Sequence, residues 1–259
     1  MRDVLISTTQ RCGSTWAASI AQLLMRQELA LYVPGIDMGL LNYTLFGDAD
    51  EERVERFSQR INSLKPISLT FKTHDLPIYY ISRFLSLNPN FVVINVNRDF
   101  RDVMISRIHY NIFHLPSVGR ELESQVLGEL KGQSDWEIVQ RFLCTSEFLE
   151  WLVDWKMFNQ PIDHPRYLAL RYEDMIKPGG LPMAVEQVRQ LLCEYDDEIP
   201  SSNTAEVCNV ARFENMEQNE EKRPVGVECK KSFCRKGVSG DFRNYLTERQ
   251  ARWIEILMK

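Results

Sequence analysis

A chain of 259 residues with 44% hydrophobic content can bury the core of one large domain, and a single domain over residues 1–259 is the expectation. Its formal net charge of −5 excludes a broad basic surface, so any polyanion site must be a local cluster of Lys and Arg and general nucleic-acid binding is not expected. Six scattered cysteines with no leader segment read as reduced thiols of a cytosolic protein. Cys229 and Cys234 lack the further Cys or His pair that a zinc site needs, and no apolar run is long enough to span a bilayer.

In chain order, Val4, Leu5 and Ile6 predict a short buried strand, and Trp16, Ile20, Leu23 and Leu24 recur at helical spacing. Between them, Thr8-Thr9-Gln10-Arg11-Cys12-Gly13-Ser14-Thr15-Trp16 carries the chain from strand to helix. The first turn of a helix has amides without intrahelical partners and the positive end of the dipole, which together favour an anion. Ser14 and Thr15 add hydroxyls, Arg11 adds fixed charge, and Gly13 permits close approach of the backbone. The nucleoside-triphosphatase pattern G-x-x-x-x-G-K-[ST] is not met, because its first glycine is absent and the cation precedes the remaining one.

Residues 29–47 are apolar without a steady period, which suits either a loop packed on the core or one wall of an apolar pocket. Residues 48–64 predict a surface helix with Val54, Phe57, Ile61 and Leu64 inward. Residues 67–71 alternate as a strand that ends in Lys72-Thr73-His74. Strand alternation places Lys72 and His74 on one face at the carboxyl end, where open α/β sheets bind ligands. Residues 91–96 are a nearly continuous apolar run fit for the middle of a parallel sheet. Asn97-Arg98-Asp99 then opens a helix bearing Val103, Ile105, Ser106 and Ile108.

His109, Tyr110, Phe113 and His114 follow, and residues 115–131 look irregular, a candidate lid over an acceptor. Ser134 and Glu137 form a capping box that opens one long helix to about residue 158, with Val139, Phe142, Leu143, Phe148, Leu149, Leu152 and Trp155 as its inner stripe. Residues 166–175 read as a strand ending in polar groups, residues 182–195 and 205–218 as helices, and residues 247–259 as a final amphipathic helix. Strands that alternate with helices, with cations at strand exits, imply an α/β fold: a central parallel β-sheet flanked by helices.

These motifs resemble, in order, those of the cytosolic-type sulfotransferases. Residues 8–16 are similar to the 5′-phosphosulfate loop T-Y-P-K-S-G-T-T-W, and Lys72-Thr73-His74-Asp75-Leu76-Pro77 to K-T-H-L-P with Asp75 inserted. Arg98, Asp102 and Ser106, after an apolar strand, are similar to the 3′-phosphate motif R-x-x-x-D-x-x-x-S. Tyr172-Glu173-Asp174-Met175 resembles Y-E-D-M. Phe213-Glu214-Asn215-Met216 resembles T-S-F-x-x-M, with Ala211 and Arg212 where Thr and Ser are usual. Residues 233–242 resemble F-x-R-K-G-x-x-G-D-W, with Phe242 for Trp. Arg243, Thr247, Glu248 and Arg252 do not reproduce the K-x-x-x-T-V-x-x-x-E dimer motif, which leaves the oligomeric state open.

The resemblance implies a P-loop-like phosphosulfate loop, 3′-phosphoadenosine 5′-phosphosulfate (PAPS) as sulfuryl donor, a small hydroxyl acceptor and no metal. It implies His74 as general base and Lys72 at the transferred group. Arg11, Cys12, Gly13, Ser14, Thr15 and Trp16 would surround the phosphosulfate, and Arg98, Ser106, Arg235, Lys236 and Gly237 the 3′-phosphate. Tyr172 would touch the nucleotide and Phe213 the adenine. Arg11 replaces the usual Lys, and a guanidinium stabilises a leaving phosphate without protonating it. The apolar content of residues 29–47 and 110–115 points to an apolar alcohol or phenol as acceptor. The alternatives are an inactive 3′-phosphoadenosine-binding module and a small-molecule kinase, which would need a Walker lysine and a carboxylate for Mg²⁺.

Overall fold

Five short parallel strands organise the first part of the chain. The computed structural model describes residues 3–25, 30–32, 49–63, 70–74, 76, 80–117, 124–194, 204–212 and 237–259. Strands β1 (Asp3–Ser7), β2 (Ala30–Tyr32), β3 (Thr70–Thr73), β4 (Phe91–Asn97) and β5 (Tyr167–Arg171) form one sheet in the order β2-β3-β1-β4-β5, parallel throughout. Its register aligns Phe71, Leu5, Val93 and Tyr167 in a row across four strands. By alternation these residues share a face, where they meet Val54, Phe57 and Ile61 of helix α2 (Ala49–Ser63) and Ile81, Phe84 and Leu85 of α3 (Ile81–Leu87).

Residues of the opposite parity, Val4, Ile6, Val92, Ile94 and Val96, are at most 1% exposed, so the sheet is covered on both faces. Helix α1 (Ser14–Met25) packs on β1, β3 and β4, and α8 (Gly180–Cys193) on β4 and β5. Double coverage is why β1 and β4 read as unbroken apolar runs rather than as alternating ones. The α/β architecture with a parallel sheet flanked by helices is the one expected from the sequence.

The chain divides into two compact units, Met1–Asn97 with Met157–Asn209, and Arg98–Lys156 with Val210–Lys259. The sheet and all but the last residue of the short α9 (Thr204–Val210) lie in the first. The second is helical. Its α4 (Phe100–His109) runs into a π-helical turn (Tyr110–His114), followed by α5 (Gln125–Glu129), α6 (Asp135–Phe142), most of α7 (Ser146–Phe158) and α10 (Glu248–Met258). Phe100, Met104, Phe142, Phe148, Trp151 and Ile254 are among its buried core.

Five expectations are corrected. Residues 30–32, assigned to an aperiodic stretch, form the edge strand β2, while residues 33–48 lie outside the described part. The helix expected over residues 134–158 is two helices. The Ser134/Glu137 capping box opens α6 as anticipated, but the Thr145 hydroxyl donates to the Phe142 carbonyl (2.7 Å) and accepts from the Phe148 amide (3.4 Å), ending one helix and starting the next. Leu149, placed on the inner stripe, is 51% exposed. Residues 115–131 are not wholly irregular, since Leu115–Ser117 and Gln125–Glu129 are helical, with residues 118–123 outside the described part. The helix expected over 205–218 ends at Val210, and residues 213–218 are likewise outside.

Among the described residues no helix is long and apolar enough to cross a membrane. Phe71 is fully buried and packs its ring against that of Phe91 at 5.8 Å. Phe71→Ala is expected to cost about 3–5 kcal/mol, the usual range for emptying a large aromatic site, read as a lowered urea midpoint.

Candidate active site

The loop after β1 is shaped by two unusual backbone angles. Arg11 has φ 68° and Gly13 φ 103°, so the chain visits the left-handed region twice within three residues while it turns into α1. Only Gly13 does so without a Cβ penalty. The Gly13 carbonyl accepts from the amides of Trp16 (3.0 Å) and Ala17 (3.1 Å), which starts the helix. The amides that precede them belong to the turn an α-helix leaves without internal acceptors, and these are the groups an anion would meet.

Side chains alternate in burial along this loop. Cys12, Ser14 and Trp16 are buried, whereas Arg11, Gly13 and Thr15 are partly exposed. The sulfur of Cys12 lies 2.7 Å from the Thr9 hydroxyl and pins the loop from within, so what Cys12 can offer an anion is its backbone amide. Tyr172 follows β5 in the single helical turn Tyr172–Met175 and is 5% exposed. Its ring stands edge-on to Trp16 at 5.7 Å, and a Cβ on Gly13 would come within 3.1 Å of it. Tyr172 therefore sets the height of the loop, while Trp16 is packed rather than presented.

His74 follows β3 directly and is half-buried. Its Nδ1 lies 2.8 Å from the Thr8 carbonyl oxygen. A carbonyl only accepts, so Nδ1 carries the proton and, in the neutral ring, Nε2 carries the basic lone pair. The Thr8 amide in turn donates to the Thr73 carbonyl (3.4 Å), and the Ser7 hydroxyl to the Leu76 carbonyl (2.6 Å). Three bonds thus join the start of the anion loop to the segment bearing His74. Lys72 pairs with Ile6 through the backbone register; its side chain lies outside the described part, as does Asp75.

The remaining described candidates lie in the second unit. Asp99 caps α4 by accepting from the Arg101 amide at 2.9 Å. Asp102 and Ser106, four residues apart, share one face of that helix, and Arg98 precedes its cap. The Arg98 guanidinium donates to the Val238 carbonyl (3.2 Å), and its own carbonyl accepts from the Trp155 indole N–H (2.7 Å). Ser106 is 7% exposed. Gly237 is described, with φ 61°, whereas Phe213, Arg235 and Lys236 lie outside the described residues. His109, beside these groups in sequence, is packed against Phe113 and Tyr245, with its Nε2 3.2 Å from the Tyr245 hydroxyl.

Residues 1–259 match the family model described as the sulfotransferase domain. The chain belongs to that family. It is 24% identical over 274 residues to Sulfotransferase 1B1 of Canis lupus familiaris, covering 99% of this chain and 82% of the relative. To Cytosolic sulfotransferase 16 of Arabidopsis thaliana it is 23% identical over 283 residues, covering 99% of this chain and 75% of the relative. Among solved structures it is similar to mouse sulfotransferase SULT7A1 complexed with PAP, with a TM-score of 0.61 and 17% identity over 99% of this chain and 82% of that one. At that identity the structural likeness is one of fold.

For this sulfotransferase-family chain, sequence reasoning singled out the loop and His74 as candidates but not the contacts that hold them. The Thr8 carbonyl carries no side-chain signature, and Asp102 counted only as a letter of a pattern. Among the described residues no cluster of three or more His, Cys, Asp or Glu could hold a metal. The backbone angles give a paired expectation. Gly13→Ala would place a Cβ against the Tyr172 ring at an unfavourable φ and is expected to cost about 1–3 kcal/mol. Arg11→Gly relieves a left-handed non-glycine residue and is expected to fold within about 1 kcal/mol of wild type. Urea midpoints of both variants check this.

Proposed function

We propose that residues 1–259 act as one sulfotransferase domain that moves the sulfuryl group of PAPS to the hydroxyl of a small, largely apolar acceptor. The observation that carries this reading is the bond from His74 Nδ1 to the Thr8 carbonyl, which leaves Nε2 as a base at the edge of an anion loop. In this reading the loop amides and Arg11 receive the 5′-phosphosulfate, with Lys72 at the transferred group, and Tyr172 supports the nucleotide. Arg98, Ser106 and Gly237 receive the 3′-phosphate together with Arg235 and Lys236, and Phe213 stacks on the adenine.

The acceptor oxygen attacks sulfur in line as its proton passes to His74 Nε2. An S–O bond forms, the bond from sulfur to the bridging oxygen breaks, and 3′,5′-adenosine diphosphate leaves. The imidazolium that results keeps its Nδ1–H on the Thr8 carbonyl. As in phosphoryl transfer, little covalent work falls to the protein, so positioning and fixed charge dominate. Arg11 holds charge on the departing phosphate without giving up a proton. The apolar acceptor rests on the composition of residues 29–47 and 110–115.

Two measurements test this. Binding of 3′,5′-adenosine diphosphate should raise the melting temperature, since ligand at a hundred times its dissociation constant adds about 2.7 kcal/mol, and 5′-AMP should do so far less. Equal shifts would remove the 3′-phosphate assignment. In a turnover assay with PAPS, phenols and hydrophobic alcohols should be sulfated and unmodified sugars left inert. His74→Ala should lower kcat about a hundredfold or more while donor affinity stays near wild type. Full activity in that variant would place the base elsewhere, and sulfation confined to sugars would exclude the apolar acceptor.

A further inference from the structure

The carboxylate of Asp102 is 1% exposed and accepts three bonds from a single distant segment. One oxygen takes the Gly240 amide at 2.6 Å and the Ser239 hydroxyl at 3.4 Å, and the other takes the Phe242 amide at 3.1 Å. Gly240 has φ 83°, and the turn it makes brings the amides of Gly240 and Phe242 to the same carboxylate, as donors around a bound anion would be. The protein's own carboxylate occupies that seat. Just before the Asp99 cap of α4, Arg98 holds the Val238 carbonyl, and one helical turn after Asp102 lies Ser106. Phe242 closes the arrangement, with the Arg101 guanidinium 4.2 Å and that of Arg243 4.9 Å from its ring centroid.

We propose that Asp102 is a positioning residue for selectivity toward a 3′-phosphate: its buried carboxylate fixes the backbone of residues 237–240 against α4, the helix that Arg98 precedes and that bears Ser106. This rests on the donor reading above. Gly237 lies three residues before Gly240, so chain connectivity keeps it within about 10 Å of the anchored amide. Loss of the carboxylate frees that backbone while Arg98 and Ser106 remain, so the donor loses one side of its 3′-phosphate site. The 5′-phosphosulfate loop is untouched.

The test compares the dissociation constants of 3′,5′-adenosine diphosphate and 5′-AMP for wild type and Asp102→Asn by calorimetry. Asparagine keeps one acceptor oxygen but turns an NH₂ toward a backbone donor. The variant is expected to bind 3′,5′-adenosine diphosphate about tenfold or more weakly, the effect of one or two lost hydrogen bonds, with 5′-AMP affinity unchanged. Equal weakening of both nucleotides marks a merely structural role and overturns the proposal, as does discrimination kept at the wild-type level. A wild-type protein without preference for 3′,5′-adenosine diphosphate overturns the donor reading itself. If the variant does not fold, amide exchange on the wild type decides: slow exchange at Gly240 and Phe242 without nucleotide supports the anchor, and unprotected exchange there overturns it.

Discussion

The hydrogen bond between His74 Nδ1 and the Thr8 carbonyl joins the sheet to the proposed chemistry, and the candidate site of the first unit depends on it. It extends a parallel ladder one step past the strands. β1 is the middle strand, β3 its neighbour, and the Thr8 amide to Thr73 carbonyl bond continues their register beyond Ser7. Thr8 is fully buried, so its carbonyl has no solvent to turn to and holds the imidazole in one tautomer. A histidine at a strand end is ordinarily a solvated group. Here the Thr8 carbonyl, at the start of the candidate anion loop, also sets which ring nitrogen is basic.

The second unit secures its part of the chain in a different way. Where the first relies on a strand ladder, the 237–242 segment has no partner strand among the described residues and is held by Asp102 of α4 and by Arg98, just before that helix. A carboxylate that accepts two backbone amides is a strong, geometry-fixing arrangement inside a protein, where its charge is poorly screened. The Phe242 ring, where the family motif has Trp, is buried in the core of this unit with two guanidinium groups against it. Arg101 is itself held by Asp99, whose charge and hydrogen bond raise its pKa, so the cation on the ring is fixed in place.

What the sequence made legible follows from range. β1, β4, α2 and α10 were readable because their signals are local: continuous apolar runs, an amphipathic stripe, a capping box. β2 was not, since three residues give no period and edge pairing is decided by β3. The break between α6 and α7 was hidden because Thr145 sits within a good apolar stripe and acts through its own backbone contacts. Asp102 was present as a motif letter, but its partners are 137 to 140 residues away, a distance over which no spacing argument reaches. The candidate site residues were singled out by pattern, and the groups that orient them only by geometry.

Arg11 shows how far the loop can depart from the usual pattern and keep its form. A left-handed residue with a side chain costs on the order of 1 kcal/mol, a strain more easily borne where surrounding contacts fix the turn. Those contacts are on both sides of it: the Thr9 to Cys12 link within the loop, and Tyr172 and Val96 against Gly13. The strain is therefore held by buried neighbours, and the side chain at this position stays partly exposed, which lets a guanidinium stand where a lysine is usual. The chemical consequence in the proposed mechanism is one-sided. A guanidinium can hold charge on a departing phosphate but does not protonate it, so the leaving group must depart as the dianion, and the work of stabilising it falls on fixed donors: the α1 amides and Arg11 itself.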